Sequence, residues 1–439
     1  MSRTPRAAAV ESITSLRQRL LEATPTATTD PSAISGLVLA TDVEAPADDP
    51  ATDRSTMDGY AVATADGYPL SVRRGEVYPE DEQPPMEPGE AVPVATGGRL
   101  PERADAVLKR EDAEIEDNDV EDGRSSGPSL DPDEDGRLRG PSLDPGENVY
   151  RRGSNVAAGE TLFERGERLL PKDAVLLDDL GVEAVTVRRR WSVAVLATGT
   201  EIHEGAAPDR DSNLLVGLAR SWGHEATHAG SVPDDLDAVR DRLDDLTRDH
   251  DVVLTSGGTS VGSRDYVARA LADLGDVLVR GVRTSPGKST VVARLPGTAA
   301  VALPGRPVAC HAAALLFGRP LLIGRTDAPT VRATAATAIE LGPDAECLIP
   351  VELVGDGRSG VGGPDGASHG DPGDEALPRA RPVDFEPPAE GAARTYTFRP
   401  SVLSSMTRAT RADGFLLTAD PIAAGEEVAV VPFAGVERS

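Results

Sequence analysis

The sequence predicts a multidomain α/β plus β protein: a central α/β domain on a mostly parallel sheet, preceded by a β-rich insertion and followed by a β domain. Three observations predict it. From about 190 to 327, buried-strand patterns alternate with helical apolar stripes, which implies a mostly parallel sheet with helices on both faces. From about 36 to 110, short β-like pieces are separated by many Pro and Gly residues. After 328 the chain returns to short β patterns, and SSMTRATRADGFLLTADPIAAGEEVAVVPF reads as a small barrel or sandwich.

Each element has its own signal. Val10, Ile13, Arg17 and Leu20 fall at helical spacing, so residues 8–23 form an amphipathic helix. VAVLAT (193–198) is a buried strand, and Leu214, Leu218 and Trp222 mark a helix closed by Gly223. Asp234 or Asp235 can cap a helix carrying Leu236, Val239, Leu243 and Leu246 on one face. DVVLTS (251–256), DVLVRGV (276–282) and AAVALP (299–304) are strands, and Val267, Leu271, Leu274 and then PVACHAAALLFG mark helices. Two stretches read as loose loops: the acidic 111–147, which repeats GPSLDP at 127–132 and 140–145, and the Gly-, Asp- and Pro-rich 355–391.

Composition narrows the function. The 439 residues exceed one ordinary core and fit three or four domains. The formal charge is −28, and all but three of the cations are arginine, the exceptions being Lys109, Lys172 and Lys288. Such a surface repels phosphate backbones and anionic lipid, so neither nucleic acid nor a membrane is an expected partner. Acid excess with scarce lysine suggests a salty cytoplasm, a halophilic trait that stability rising with KCl would reveal. Two cysteines, Cys310 and Cys347, make no disulfide framework or zinc cluster. The N-terminus lacks the apolar run of a signal peptide, and no apolar run approaches ~20 residues, so a cytoplasmic location is expected.

In an open α/β sheet, ligands bind beyond the carboxyl ends of the strands. Those ends carry TGTE (198–201), PDD (233–235), SGGTSVGSRD (256–265), RTSPGKS (283–289) and PGRP (304–307). Glycine turns and helix starts present N–H groups to an anion, while Glu201, Asp234, Asp235 and Asp265 are oxygen donors suited to a hard cation such as Mg²⁺. Each element alone reads as a turn or a cap; all five together point to phosphoanhydride chemistry. Three motifs are dismissed. GGTSVGSR has P-loop glycine spacing but Ser263 at the lysine position, and in GVRTSPGKST five residues rather than four separate Gly281 from Gly287. HEATH (224–228) matches a zinc-protease pattern, yet on a strand its two histidines stand ~13 Å apart.

Taken together these residues resemble the molybdopterin molybdenumtransferases, which complete molybdenum cofactor assembly. VLATDVEAPADDPATDRSTMDGYAV (38–62), VATGGRLPERADAVLKRED (94–112) and NVYRRGSNVAAGETLFERGERL (148–169) resemble family signatures, and ATGTE, DSN (211–213), PDD, TSGGTSVGSRDYV, SPGKS and ALPGRP follow in family order. The resemblance covers nearly the whole chain. It implies four parts: residues 1–50 with 148–189, a β-rich insertion at 51–147, a molybdopterin-binding α/β domain at 190–327 and a C-terminal β domain at 328–439. It also implies a homodimer, Mg²⁺, and cleavage of adenylylated molybdopterin with molybdate insertion and AMP release. Molybdopterin adenylyltransferase and molybdoenzymes are the implied further partners.

By the same resemblance, Asp58, Thr96, Glu201, Asp235, Asp265 and Lys288 are catalytic. Asp58 and Thr96 reach the site of the neighbouring subunit. Thr198, Gly199, Ser212, Ser256, Gly257, Gly258, Thr259, Ser260, Gly262, Pro286, Gly287 and Arg306 bind molybdopterin or phosphate, and Glu201, Asp234, Asp235 and Asp265 hold the metal. Departures fall in the site: Ser154 and Asn155 stand for Glu-Asp, Thr200 and Ser285 for an aspartate and a lysine, and Arg306 for an asparagine. Loss of three acids weakens or shifts metal binding, and Arg306 is expected to take over part of the oxyanion contact. A divergent paralogue, one that binds molybdopterin without turnover or handles tungstate, is the competing reading. The adenylyl-transfer step is a third.

Overall fold

In a computed structural model of the chain, residues 3–117, 136–259, 265–342, 345–355, 377–383, 395–398 and 410–438 are described. They fall into two compact units, Met1–Ala27 with Arg188–Ser439, and Thr28–Val187.

The first unit opens with helix α1 (Arg6–Ala23), whose apolar side buries Ala9, Ile13, Leu16 and Leu20. The resemblance grouped this helix with residues 148–189. It packs instead in the α/β unit, where the Arg17 guanidinium lies 5.9 Å from the Trp191 ring centroid. The elements of the α/β domain are β1 (Ser192–Thr198), α2 (Asp211–Ser221), β2 (Glu225–Val232), α3 (Leu236–Asp249), β3 (Val252–Ser256), α4 (Tyr266–Leu274), β4 (Asp276–Arg280), β5 (Val291–Leu295), β6 (Thr298–Leu303) and α5 (Pro307–Ala313). The sheet order is β2-β1-β3-β6-β5-β4. Strand side chains alternate, so Ala194, Leu196, Val253, Ala300 and Ala302 meet α3 and α4 in one core. Ser256, one residue out of phase with Thr255, turns to the opposite face and α2.

The C-terminal β domain is a barrel. The long strand Glu346–Val354 pairs on one side with Arg379–Pro382 and on the other with Gly414–Thr418, which closes a five-stranded ring with Val331–Ala335 and Glu427–Pro432. Closure leaves no free sheet edge within the ring. Ala333, Ile349, Val351, Ala380 and Val430 fill its interior.

In the second unit, a six-stranded sheet runs in the order Ala106–Lys109, Gly59–Val62, Glu90–Val94, Leu70–Val72, Gly136–Arg139, Glu114–Asp117. Tyr60, Leu70, Leu108 and Leu138 form a core on this sheet. A separate core gathers Ile34, Leu39, Leu169, Leu177 and Val185.

Two expectations of loose loops need correction. Within 111–147, Glu114–Asp117 and Gly136–Arg139 pair with each other, and Leu138 is fully buried. Within 355–391, Arg379–Pro382 is a barrel strand with Ala380 in the core. Short strands with one buried residue in two do not stand out from acidic, glycine-rich flanks. The first GPSLDP copy and most of 355–391 lie outside the described residues.

Ile349 is fully buried in the barrel. Ile349→Ala should lower unfolding stability by about 2–5 kcal/mol, the usual loss for an unfilled core site, as measured by chemical denaturation. A loss under about 1 kcal/mol would show that the barrel interior collapses around the gap.

Candidate functional site

Strand direction brings the site together. β1 runs parallel to β2 and β3, and β3 parallel to β6. β5 is antiparallel to β6, and β4 antiparallel to β5, so β4 again points the same way as the four parallel strands. Thr198, Val232, Ser256, Arg280 and Leu303 therefore end on one edge of the sheet. β5 was not expected from the sequence; its VVARL run follows directly on the Gly-Lys-Ser-Thr loop and carries no turn signal before β6 except Pro296-Gly297. Its presence returns 281–290 to the same edge.

The loops at this edge are tied to each other. The Gly199 N–H donates to the Val232 carbonyl at 3.1 Å, and the Thr198 hydroxyl to the Ser256 carbonyl at 3.1 Å. The Gly257 N–H donates to the Leu303 carbonyl at 3.0 Å. Thr259 Oγ1 lies 3.1 Å from Ser289 Oγ, joining the glycine-rich loop to the Ser-Pro-Gly-Lys-Ser loop. Gly257 and Gly258 have φ of +92° and +63°, and a Cβ would come 2.5 Å from the Thr198 carbonyl oxygen at the first and 2.5 Å from Val267 Cγ2 at the second. A Cβ on Gly305 would meet Gly257 Cα at 2.9 Å. Glycine is therefore required by backbone conformation and by close approach. Thr198, Gly199, Ser256, Gly257, Gly258, Thr259, Gly287 and the residues before Arg306 converge here. Pro286 and Gly287 are buried, whereas Lys288 and Arg306 are exposed and their side chains make no hydrogen bond or ion pair among the described residues. Ser260 and Gly262 lie outside the described residues.

The acids are disposed differently from the expectation. Asp235 caps α3, accepting from the Ala238 N–H at 2.9 Å. Asp265 caps α4, is nearly buried, and forms an ion pair with Arg280 at 2.9 Å. Glu201 and Asp234 are exposed, and their loops are joined because Thr200 Oγ1 accepts from the Asp234 N–H at 3.0 Å. Among the described residues no three His, Cys, Asp or Glu side chains form a group that could hold a metal ion. The expected quartet is thus not a cage: two of its members are engaged as helix caps. Mg²⁺ commonly uses one or two carboxylates together with substrate phosphates, and Glu201 with Asp234 fits that smaller role.

One buried group was not singled out from the sequence. Asp211, the first residue of α2, is only 6% exposed and its Oδ2 accepts from Ser256 Oγ at 2.6 Å. Asp211 Oδ1 and the neighbouring Ser212 Oγ have no hydrogen-bond partner among the described residues. Burial and the nearby Asp211 carboxylate hold the Cys310 thiol of α5 well above its ordinary pKa. The Ser256 hydroxyl, expected to face phosphate, is spent on the internal contact with Asp211. The DSN run was the available signal, and only its Ser212 had been assigned a role.

In the second unit, the Asp58 carboxylate accepts from both the Thr96 N–H (2.7 Å) and the Thr96 hydroxyl (2.8 Å) through Oδ1. These bonds, with Arg110 nearby, lower its pKa. Both residues line a cavity of about 700 Å³ with Met57, Lys109, Arg110, Glu111 and Ala113. Sequence placed Asp58 and Thr96 far apart in the chain; the sheet brings them into contact.

The histidines of HEATH serve structure. His224 stacks on Trp191 at 5.2 Å and bonds the Leu322 carbonyl, while His228 lies 3.2 Å from Asp209.

Comparison with known proteins gives this geometry its family. Residues 6–181 match the MoeA N-terminal region (domain I and II), and residues 194–324 match a probable molybdopterin binding domain. A molybdopterin molybdenumtransferase of Nostoc is 30% identical over 309 residues, covering 66% of this chain and 67% of the relative. The chain belongs to the molybdopterin molybdenumtransferase family. The Bacillus subtilis member is 29% identical over 65% of this chain and 67% of its own. A crystal structure of a molybdopterin biosynthesis MoeA protein from Pyrococcus horikoshii aligns over 99% of this chain and 100% of its own, at 26% identity and a TM-score of 0.66. The protein is accordingly a transferase of molybdenum cofactor biosynthesis.

Two departures from the family pattern have physical accounts. Asn155 donates to Asp49 Oδ2 at 2.8 Å and accepts from the Tyr150 hydroxyl, so both ends of its amide are used. An aspartate there would set two carboxylates together. Thr200 supplies an acceptor to the Asp234 backbone without adding charge.

Burial raises the Asp211 pKa, and the Ser256 bond opposes this. A carboxyl raised in the folded state favours folding while protonated. The stability of wild type relative to Asp211→Asn should therefore be greatest below the ordinary Asp value of about 3.9 and fall as pH rises through the raised value. Unfolding of both proteins across that range measures it, and parallel curves would contradict the assignment.

Proposed function

We propose that the protein cleaves adenylylated molybdopterin, releases AMP and delivers molybdate to the dithiolene sulfurs, in a homodimer whose neighbouring subunit contributes Asp58 and Thr96. The reading rests chiefly on the convergence of the 198–201, 256–259, 284–289 and 304–306 loops at one sheet edge, bridged by Thr259 and Ser289. With the Gly257 N–H held by the Leu303 carbonyl, the next amides of the turn, Gly258 and Thr259, suit a phosphate that needs no lysine beneath it. Lys288 and Arg306 attract the oxyanions, one as a point charge and the other as a planar fork. Mg²⁺, held by Glu201, Asp234 and the substrate's phosphates, would offset charge on the phosphoanhydride. Asp235 and Asp265 act indirectly, by fixing the starts of α3 and α4. Thr198 and Gly199 hold β1's end against β3 and β2, and Ser212 lies at the start of α2.

One observation favours the competing reading, a molybdopterin binder or tungstate-handling paralogue: no three acids gather among the described residues. Turnover separates the two. With adenylylated molybdopterin, Mg²⁺ and molybdate, in high KCl, the transferase yields AMP and active cofactor, and chelation stops it. Binding without AMP at any Mg²⁺ or salt concentration would establish the binder, and AMP release with tungstate alone would establish the paralogue.

Arg306→Asn should raise the molybdate concentration for half-maximal cofactor formation about tenfold, the scale of one charge-assisted contact. An unchanged molybdate dependence would remove Arg306 from the oxyanion site.

A further inference from the structure

A carboxylate sunk in a protein interior is costly unless its oxygens are satisfied. Asp211 is 6% exposed, yet among the described residues only Oδ2 has a partner; Oδ1 and the adjacent Ser212 Oγ have none. No positively charged side chain bonds to it among the described residues. A plain helix cap would not account for this: Asp211 is the first residue inside α2, and its acceptor oxygen faces β3 rather than the helix's own N–H groups.

What Asp211 does touch is specific. Ser256 is the last residue of β3, immediately before the two left-handed glycines of the cradle. Buried Cys310 of α5, the helix that follows the Pro304-Gly305-Arg306 loop, lies near the same carboxylate. β3 leads into one strand-end loop and α2 and α5 each leave one, so three loops are anchored around this buried pair. Thr198, from a fourth, bonds the Ser256 carbonyl.

Building on the proposed phosphate role of this loop, we propose that Asp211 is a positioning residue: by clamping Ser256 it fixes the Gly257-Gly258 turn against the Pro304-Gly305 loop, so that the Gly258 and Thr259 amides face the bound phosphate. Asp211 touches no reacting atom. Its function is to remove the freedom of the strand end, so that the amides are aimed before the ligand arrives. A preset cradle costs less ordering on binding. The remaining Asp211 oxygen and Ser212 Oγ are the buried acceptors to which a ligand N–H or an ordered water would bond.

The test uses the full-length protein in high KCl, with Asp211→Asn, Ser256→Ala and the double variant. Amide hydrogen exchange without ligand should quicken across 254–259 in each variant, while the remote α3 peptide keeps wild-type protection. A purely structural role would loosen both regions together. Affinity for AMP, measured by calorimetry, should fall about tenfold in each single variant, with the double variant no weaker than either, because both act through one contact. Should Asp211→Asn fold poorly, Cys310→Ala tests the same junction from the third element and should also quicken exchange across 254–259. Wild-type exchange across 254–259 in all variants, or additive losses in AMP affinity, would overturn the proposal. Wild-type protein that binds AMP but never releases it from adenylylated molybdopterin would defeat the proposed reaction and leave this inference standing.

Discussion

The site depends on strand direction. Five strands of the central sheet end on one edge, and each delivers a loop there. Had β4 run against the parallel strands, the 281–290 loop would leave from the opposite edge and Ser289 could not meet Thr259. The convergence follows from hydrogen-bond registers laid down by apolar residues far from the ligand: Val193, Val195, Val253, Val301 and their neighbours.

Close approach is the second constraint. Gly257 and Gly305 bring two backbones to a distance at which no side chain fits, and Gly257 packs on the Thr198 carbonyl. The polar tie between Ser256 and Asp211 lies directly under this contact. Backbone that cannot carry side chains is also backbone whose amides are open to an anion, so the packing requirement and the binding property are one feature. In a chain of net charge −28, amides attract phosphate without adding cations to the surface.

Much of this was legible in the sequence. The alternation of VAVLAT, DVVLTS and AAVALP with helical stripes defined the sheet, and the residues after each strand defined the site. Other parts were hidden for physical reasons. β5 is only five residues, VVARL, set between the Ser-Pro-Gly-Lys-Ser-Thr loop and Pro296-Gly297. Two short strands at 114–117 and 136–139 were masked by acidic flanks. Asp265 looked like a metal ligand because an acid after a glycine-rich loop is chemically ambiguous; Arg280, fifteen residues on, decides its partner. The pairing of Asp58 with Thr96 needed tertiary structure. Asp211 could not be recognised as buried from a motif that reads as an exposed helix start.

A crystal structure with AMP and Mg²⁺ bound tests the central claim most directly. The account predicts phosphate density against the amides of Gly258 and Thr259, within reach of Lys288 and with a cation beside Glu201 and Asp234. Phosphate density at another edge of the sheet, or confined to a surface cluster of arginines, would contradict it.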